Sequence, residues 1–130
     1  MNHGTLRREQ TSVHETGHAL AFRACTGYLP RIEAHGERGG VTIVPAGTTP
    51  TTQLVTILGA VAAERAWFGT GEIKPSDAEQ AERLLLGHWS ESEREQARRN
   101  AMALAEKAVN ENPELLAGLV ERLRSHGRFP

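Results

Sequence analysis

His14, Glu15 and His18 stand in the run His14-Glu15-Thr16-Gly17-His18, inside a segment whose apolar spacing predicts a helix. Residues four apart share one helical face about 6 Å apart along the axis, so both imidazoles can reach a single ion. Zinc accepts histidine nitrogens at tetrahedral sites, and where one position stays open it lowers the pKa of a bound water to roughly 7. A carboxylate one residue beyond the first histidine reaches that water rather than the ion. This is the position of Glu15. The expected chemistry is amide hydrolysis, with Glu15 taking the proton from water and returning it to the leaving amine. Gly17 costs about 1 kcal/mol against alanine in mid-helix, which predicts a close approach by another part of the chain at that turn.

Two histidines do not complete a catalytic zinc site, which uses three protein ligands and one open position. The longer pattern with a third histidine six residues on fails, because Ala24 stands there. His3, His35, His88 and His126 show no ligand spacing. Two acids remain. Asp77, the single aspartate, falls in the first turn of an expected helix after Pro75-Ser76, where its simplest structural role is to stabilise the helix start. Glu64 is flanked by Ala62, Ala63 and Ala66 on an apolar helix; buried there it would need the ion or a ligand imidazole as partner. Residue types and spacing leave both open. Nothing in the pattern places Tyr28, His35 or His88 as a stabiliser of developing negative charge.

The elements that must position these groups are mostly helical. Val13, Gly17, Leu20, Ala21, Ala24 and Cys25 recur at three and four residues, giving a first helix over Thr5 to Thr26 closed by Gly27. Two short runs, 31–35 and 40–44, separated by Gly36-Glu37-Arg38-Gly39, predict a hairpin, with Pro45, Gly47 and Pro50 closing it. A second helix runs from Thr51 or Thr52 to Phe68. A loop through Pro75 follows, then a third helix capped by Ser76 with Glu79 and ending near Leu86. Gly87-His88-Trp89 breaks the pattern; Ser90 with Glu93 starts a long helix to Asn110, and Pro113 a last one to His126. Trp67, Phe68 and Trp89 are expected in the core at helix ends. The fold class is mainly α, in the α+β sense, with a small β-hairpin between the first two long helices. The chain is expected to form one domain over 1–130, with a site-bearing core over 1–86 and C-terminal helices over 88–126.

Composition bounds the partners. Fifteen Lys and Arg are mixed among sixteen acids, for a formal net charge of -1, so no basic stripe points to nucleic acid. Cys25 is the only cysteine, which excludes an intrachain disulfide and a Cys-rich zinc site and suits a reducing compartment. The basic N-terminus is not followed by the apolar run of a signal peptide, and the most apolar stretch, Leu54 to Phe68, carries Glu64 and Arg65. A soluble, cytoplasmic chain without membrane insertion is the expectation.

The sequence resembles the zinc peptidase domain of the FtsH family of ATP-dependent metalloproteases. The likeness rests on His14-Glu15-Thr16-Gly17-His18-Ala19 and on the strand pair of Ile32 to Val44. It extends to Leu58-Gly59-Ala60-Val61-Ala62-Ala63-Glu64-Arg65-Ala66-Trp67-Phe68-Gly69 and to Ser76-Asp77-Ala78-Glu79-Gln80-Ala81. These motifs occur in the family's order and cover about Thr11 to Leu86; the tail is similar only in pattern. The resemblance implies His14, His18 and Asp77 as zinc ligands, Glu15 as general base, and Glu64 behind a ligand histidine. It also implies oligomers. Ala60 and Arg65 depart from the family's second glycine and second glutamate, and the stretch before Asp77 is shorter than in the family. No Gly-x-x-x-x-Gly-Lys-Ser/Thr run occurs in the 130 residues. The expected substrates are therefore peptides or already unfolded protein segments, reached alone or beside a separate ATPase. An extended substrate is expected to pair with the strand from Gly40 to Val44. The competing expectation is a catalytically silent metal-binding module that works through partners.

Overall fold

From Leu54 to Glu64 every residue of one helix is buried. A helix with no polar face has to be enclosed by others, and the fold is organised around that requirement. A computed structural model describes residues 3–34 and 39–129. The enclosed helix, α2 (Pro50–Phe68), lies against α1 (His3–Thr26) on one side and against α4 (Glu91–Asn110) and α3 (Pro75–His88) on others. The last helix, α5 (Pro113–His126), packs across α1 and brings Leu116, Leu119, Val120 and Leu123 into the interior. Trp67, Phe68 and Trp89 are half-buried against this core, as expected of aromatic residues at helix ends.

The close approach predicted at Gly17 is the backbone of α2. A Cβ on Gly17 would lie 2.3 Å from the Gly59 carbonyl oxygen, and one on Gly59 would lie 2.3 Å from that of Gly17. The two helices therefore cross in direct main-chain contact. Overpacking of a filled interior costs about 1–3 kcal/mol, and more where backbone must move. Gly17→Ala and Gly59→Ala should each lower the melting temperature by several degrees or more, read by circular dichroism. Gly118→Ala, in open space on α5, is the neutral comparison.

A three-stranded antiparallel sheet sits beside α1, in the order β2-β1-β3. Strand β1 (Arg31–Ala34) pairs with β2 (Gly40–Ile43), with Ile32 opposite Thr42 and Ala34 opposite Gly40. His35 and the expected turn residues 36–38 lie outside the described residues. The third strand, β3 (Arg128–Phe129), was not expected from the sequence. Gly127 adopts a left-handed φ of 75°, closes α5 and turns the chain back; its carbonyl accepts from Ala34 N, and Phe129 then falls opposite Ile32. A two-residue strand carries no periodicity by which to be found.

Two helix starts and one helix end correct the expectations. Pro50 opens α2 at its first turn instead of closing the strand region, with Thr49 as N-cap accepting from Thr52 N. Pro75 does the same for α3, whose N-cap is Lys74, so Ser76 lies inside the helix and forms no capping box. Proline lacks the N–H that a first turn leaves unpaired, and its φ already suits a helix. Helix α3 also continues through Gly87 to His88, because one glycine costs only about 1 kcal/mol and need not end a helix. The capping box of Ser90 and Glu93 is present as expected. On α1 the buried face ends at Phe22; Ala24 and Cys25 are exposed, on the turn leading out to Gly27 and the largely exposed Tyr28. Among the described residues no helix is long and apolar enough to cross a membrane.

Candidate metal centre

Helix α1 presents His14 and His18 one turn apart, and α3 brings Asp77 to them from its first turn. His14 Nε2 is 3.2 Å from His18 Nε2 and 3.1 Å from Asp77 Oδ2, and His18 Nε2 is 3.6 Å from the same oxygen. Ligand atoms around a tetrahedral zinc with bonds of about 2.0 Å lie about 3.3 Å apart. The triangle of two imidazole nitrogens and one carboxylate oxygen matches that spacing. His14, His18 and Asp77 can thus hold a metal ion.

The far nitrogens explain why the near ones face each other. His18 Nδ1 lies 2.7 Å from the carbonyl oxygen of Thr56, which can only accept, so Nδ1 carries the hydrogen. His14 Nδ1 lies 2.6 Å from Glu64 Oε1 and donates to that carboxylate. Both Nε2 atoms are then left to the shared point. Two lone pairs 3.2 Å apart repel unless a cation, a proton or a metal, lies between them. Glu64 sits behind His14 rather than beside the triangle, and the structure brings Asp77, not Glu64, to the histidine pair.

Three carboxylates are buried here: Glu15, Glu64 and Asp77 are each less than a tenth exposed. Buried acids need compensation. Lys74 Nζ, 3.6 Å from Glu64 Oε2, supplies part of it. His14 supplies more: burial alone would push its imidazole down, but hydrogen bonds to Asp77 and Glu64 and the charge of Glu15 raise it to about 9. For Asp77, burial would push the carboxyl up, yet its contact with His14 and the fields of His18, His14 and Lys74 hold it below the usual range. A divalent cation satisfies this excess of buried negative charge as fully as a proton on His14 does.

The proton and the metal compete for one lone pair. At pH 7 His14 is protonated in the metal-free chain, while Asp77 is already ionised, so metal uptake expels a proton from His14 Nε2. Apparent affinity should rise about tenfold per pH unit from pH 7 and flatten near the raised pKa of about 9. Zinc titration by calorimetry, repeated in buffers of different ionisation enthalpy, should register about one proton released at pH 7. Uptake without proton release would contradict this arrangement.

Glu15 is fixed from the sheet side. Its Oε1 accepts from the Thr42 hydroxyl at 2.8 Å, which leaves Oε2 turned toward the histidines, 4.0 Å from His14 Nε2. Gly40 on the same strand must lack a side chain, because a Cβ there would lie 2.7 Å from Glu15 Cγ. Sequence reasoning missed Thr42 and the Thr56 carbonyl. Strand alternation puts Gly40 and Thr42 on one face, a signal that was there to use; a backbone acceptor such as Thr56 O has no residue signature. Of the remaining histidines, His88 and His126 are exposed, the side chain of His3 and the whole of His35 lie outside the described residues, and Tyr28 is largely exposed.

The group opens into a cavity of about 520 Å³ bounded by Thr42, Val44, Gln53, Ile57 and Gln80. No family model matches the chain, and no curated protein does.

Proposed function

We propose that the chain is a zinc-dependent metallopeptidase domain of the FtsH type, hydrolysing peptides or unfolded protein segments. The observation that carries the reading is Glu15 Oε2 beside the His14–His18–Asp77 triangle, in the wall of an open cavity. A structural metal site has no use for a buried carboxylate held beside its ligands; a hydrolytic one does. The donor set of two imidazoles and one carboxylate suits zinc, and the ion would supply Lewis acidity and a lowered pKa for water in the open position.

The remaining chemistry belongs to the chain. Thr42 anchors one oxygen of Glu15, so the other is the one that accepts a proton from the attacking water and later delivers it to the leaving amine nitrogen. Glu64 and the Thr56 carbonyl hold the imidazoles in the tautomer that points Nε2 inward. Strand β2 lies at one edge of the sheet, and Gly40, Thr42 and the following Val44 line the cavity. An extended peptide adding to that edge would pass Glu15 with its backbone hydrogen-bonded to the strand.

A cavity of about 520 Å³ is far too small to take a folded domain, so these residues by themselves would act on peptides or on segments unfolded elsewhere, for example by a separate ATPase. The testing experiment is direct. Zinc-loaded protein should cleave casein, a chelator should stop it, and added zinc should restore it, whereas a stably folded protein should survive without ATP or a partner. A chain that binds zinc stoichiometrically and cleaves neither casein nor short peptides would be the metal-binding module instead.

A further inference from the structure

The cavity at the metal centre continues into a second depression of about 390 Å³, and the two share His14, Glu15, Gly40 and Ser76. Together they form one trough that passes the triangle and runs along β2 and its flanking residues Gly39 and Val44. Its two arms differ in charge. The larger arm has no Lys or Arg in its lining, and the smaller has Arg7 and Lys74. Lys74 shares its charge with Glu64. Arg7 is exposed and has no hydrogen-bond or ion-pair partner among the described residues.

Spacing along α1 sets the distance. Arg7, Thr11, His14 and His18 follow one another at three and four residues, so they lie along one helical face. Seven residues of helix place Arg7 about 10 Å from His14 along the axis, or about three residues of extended chain. A guanidinium at that position is too far to act on the reacting atoms and well placed to meet a group two or three residues away.

We infer that the arm lined by Arg7 and Lys74 is a carboxylate subsite, which selects peptides bearing a free C-terminus or an acidic side chain two or three residues from the scissile bond. The inference rests on the peptidase reading for the meaning of that bond, and on the trough alone for binding. Guanidinium and carboxylate pair through two parallel N–H···O bonds, which a lysine in place of Arg7 would not reproduce.

Binding of uncleaved peptides tests this without reliance on turnover. The probes are acetyl-tetra-alanine with a free C-terminus, its C-terminal amide, and the amide with Glu as its last residue. They are titrated into the zinc-loaded Glu15→Gln chain, with and without Arg7→Gln. With Arg7 present, one or both carboxylate peptides should bind roughly tenfold tighter than the neutral amide. Which of them gains tells a terminal from a side-chain carboxylate. The advantage should shrink in high salt and vanish in Arg7→Gln, while Arg7→Glu should turn the preference toward a Lys-bearing amide. A carboxylate advantage that persists in Arg7→Gln comes from Lys74 or the metal centre, and it overturns the subsite built on Arg7; equal binding of all three peptides overturns it as well. Hydrolysis of neutral peptides with no carboxylate preference would remove the subsite and keep the peptidase. Carboxylate-selective binding to a chain with no hydrolytic activity would do the reverse.

Discussion

Glu15→Gln should lose peptide hydrolysis by a factor of roughly 10²–10⁴ while keeping its zinc, because a general base contributes about that much. The amide has the same shape as the carboxylate, and its oxygen can still accept from the Thr42 hydroxyl, 2.8 Å away in the native chain. What it cannot do is take a proton from water. The loss should fall on kcat, with KM nearly unchanged, since Glu15 is one of many side chains lining the cavity and the substitution keeps its shape. Thr42→Val separates positioning from chemistry: Glu15 remains but its outer oxygen is no longer held, and kcat should fall by roughly tenfold with metal intact. Steady-state cleavage of a fluorogenic peptide, beside metal analysis of the same samples, measures both. A Glu15→Gln chain as active as the wild type would remove the carboxylate from the mechanism.

Asp77→Ala should release the metal, and Glu64→Gln should not. Asp77 Oδ2 is one corner of the triangle, 3.1 Å from His14 Nε2 and 3.6 Å from His18 Nε2. Without it two imidazoles remain, too few for a stable site at neutral pH. Zinc content should drop from roughly one ion per chain to below about a tenth. Of the histidine pair Glu64 touches only the far nitrogen of His14, its other oxygen facing Lys74. A glutamine oxygen can still accept from Nδ1–H, so the ring stays oriented and zinc affinity should fall by about 10–100-fold, which stoichiometric loading survives. Circular dichroism checks that both variants fold. Metal lost from Glu64→Gln and retained by Asp77→Ala would exchange their roles.

How much of this was readable in advance varied with the physical character of each feature. The histidine pair and Glu15 depend on contacts four residues apart within one helix, and helical spacing makes these legible. The Gly17 signal was legible because glycine in mid-helix needs a reason, and the reason is the Gly59 carbonyl. Asp77 and Glu64 could not be ranked from spacing, because their separation from His14 depends on how α2 and α3 pack, which no local pattern encodes; the family resemblance ranked them. Thr42 and the Thr56 carbonyl became visible only when β2 and α2 were placed against α1. Strand β3 is two residues long, too short to show a periodic pattern although Phe129 packs on the core, and Pro50 and Pro75 read equally well as closing one element or opening the next. The helices themselves, long and strongly periodic or capped, emerged close to the expected bounds.

The most direct measurement is zinc per chain, by elemental analysis, on the purified wild type and on His18→Ala after dialysis. About one equivalent is expected in the wild type and close to none in the variant. A folded wild type without stoichiometric metal, or a His18→Ala chain that keeps a full equivalent, would contradict it.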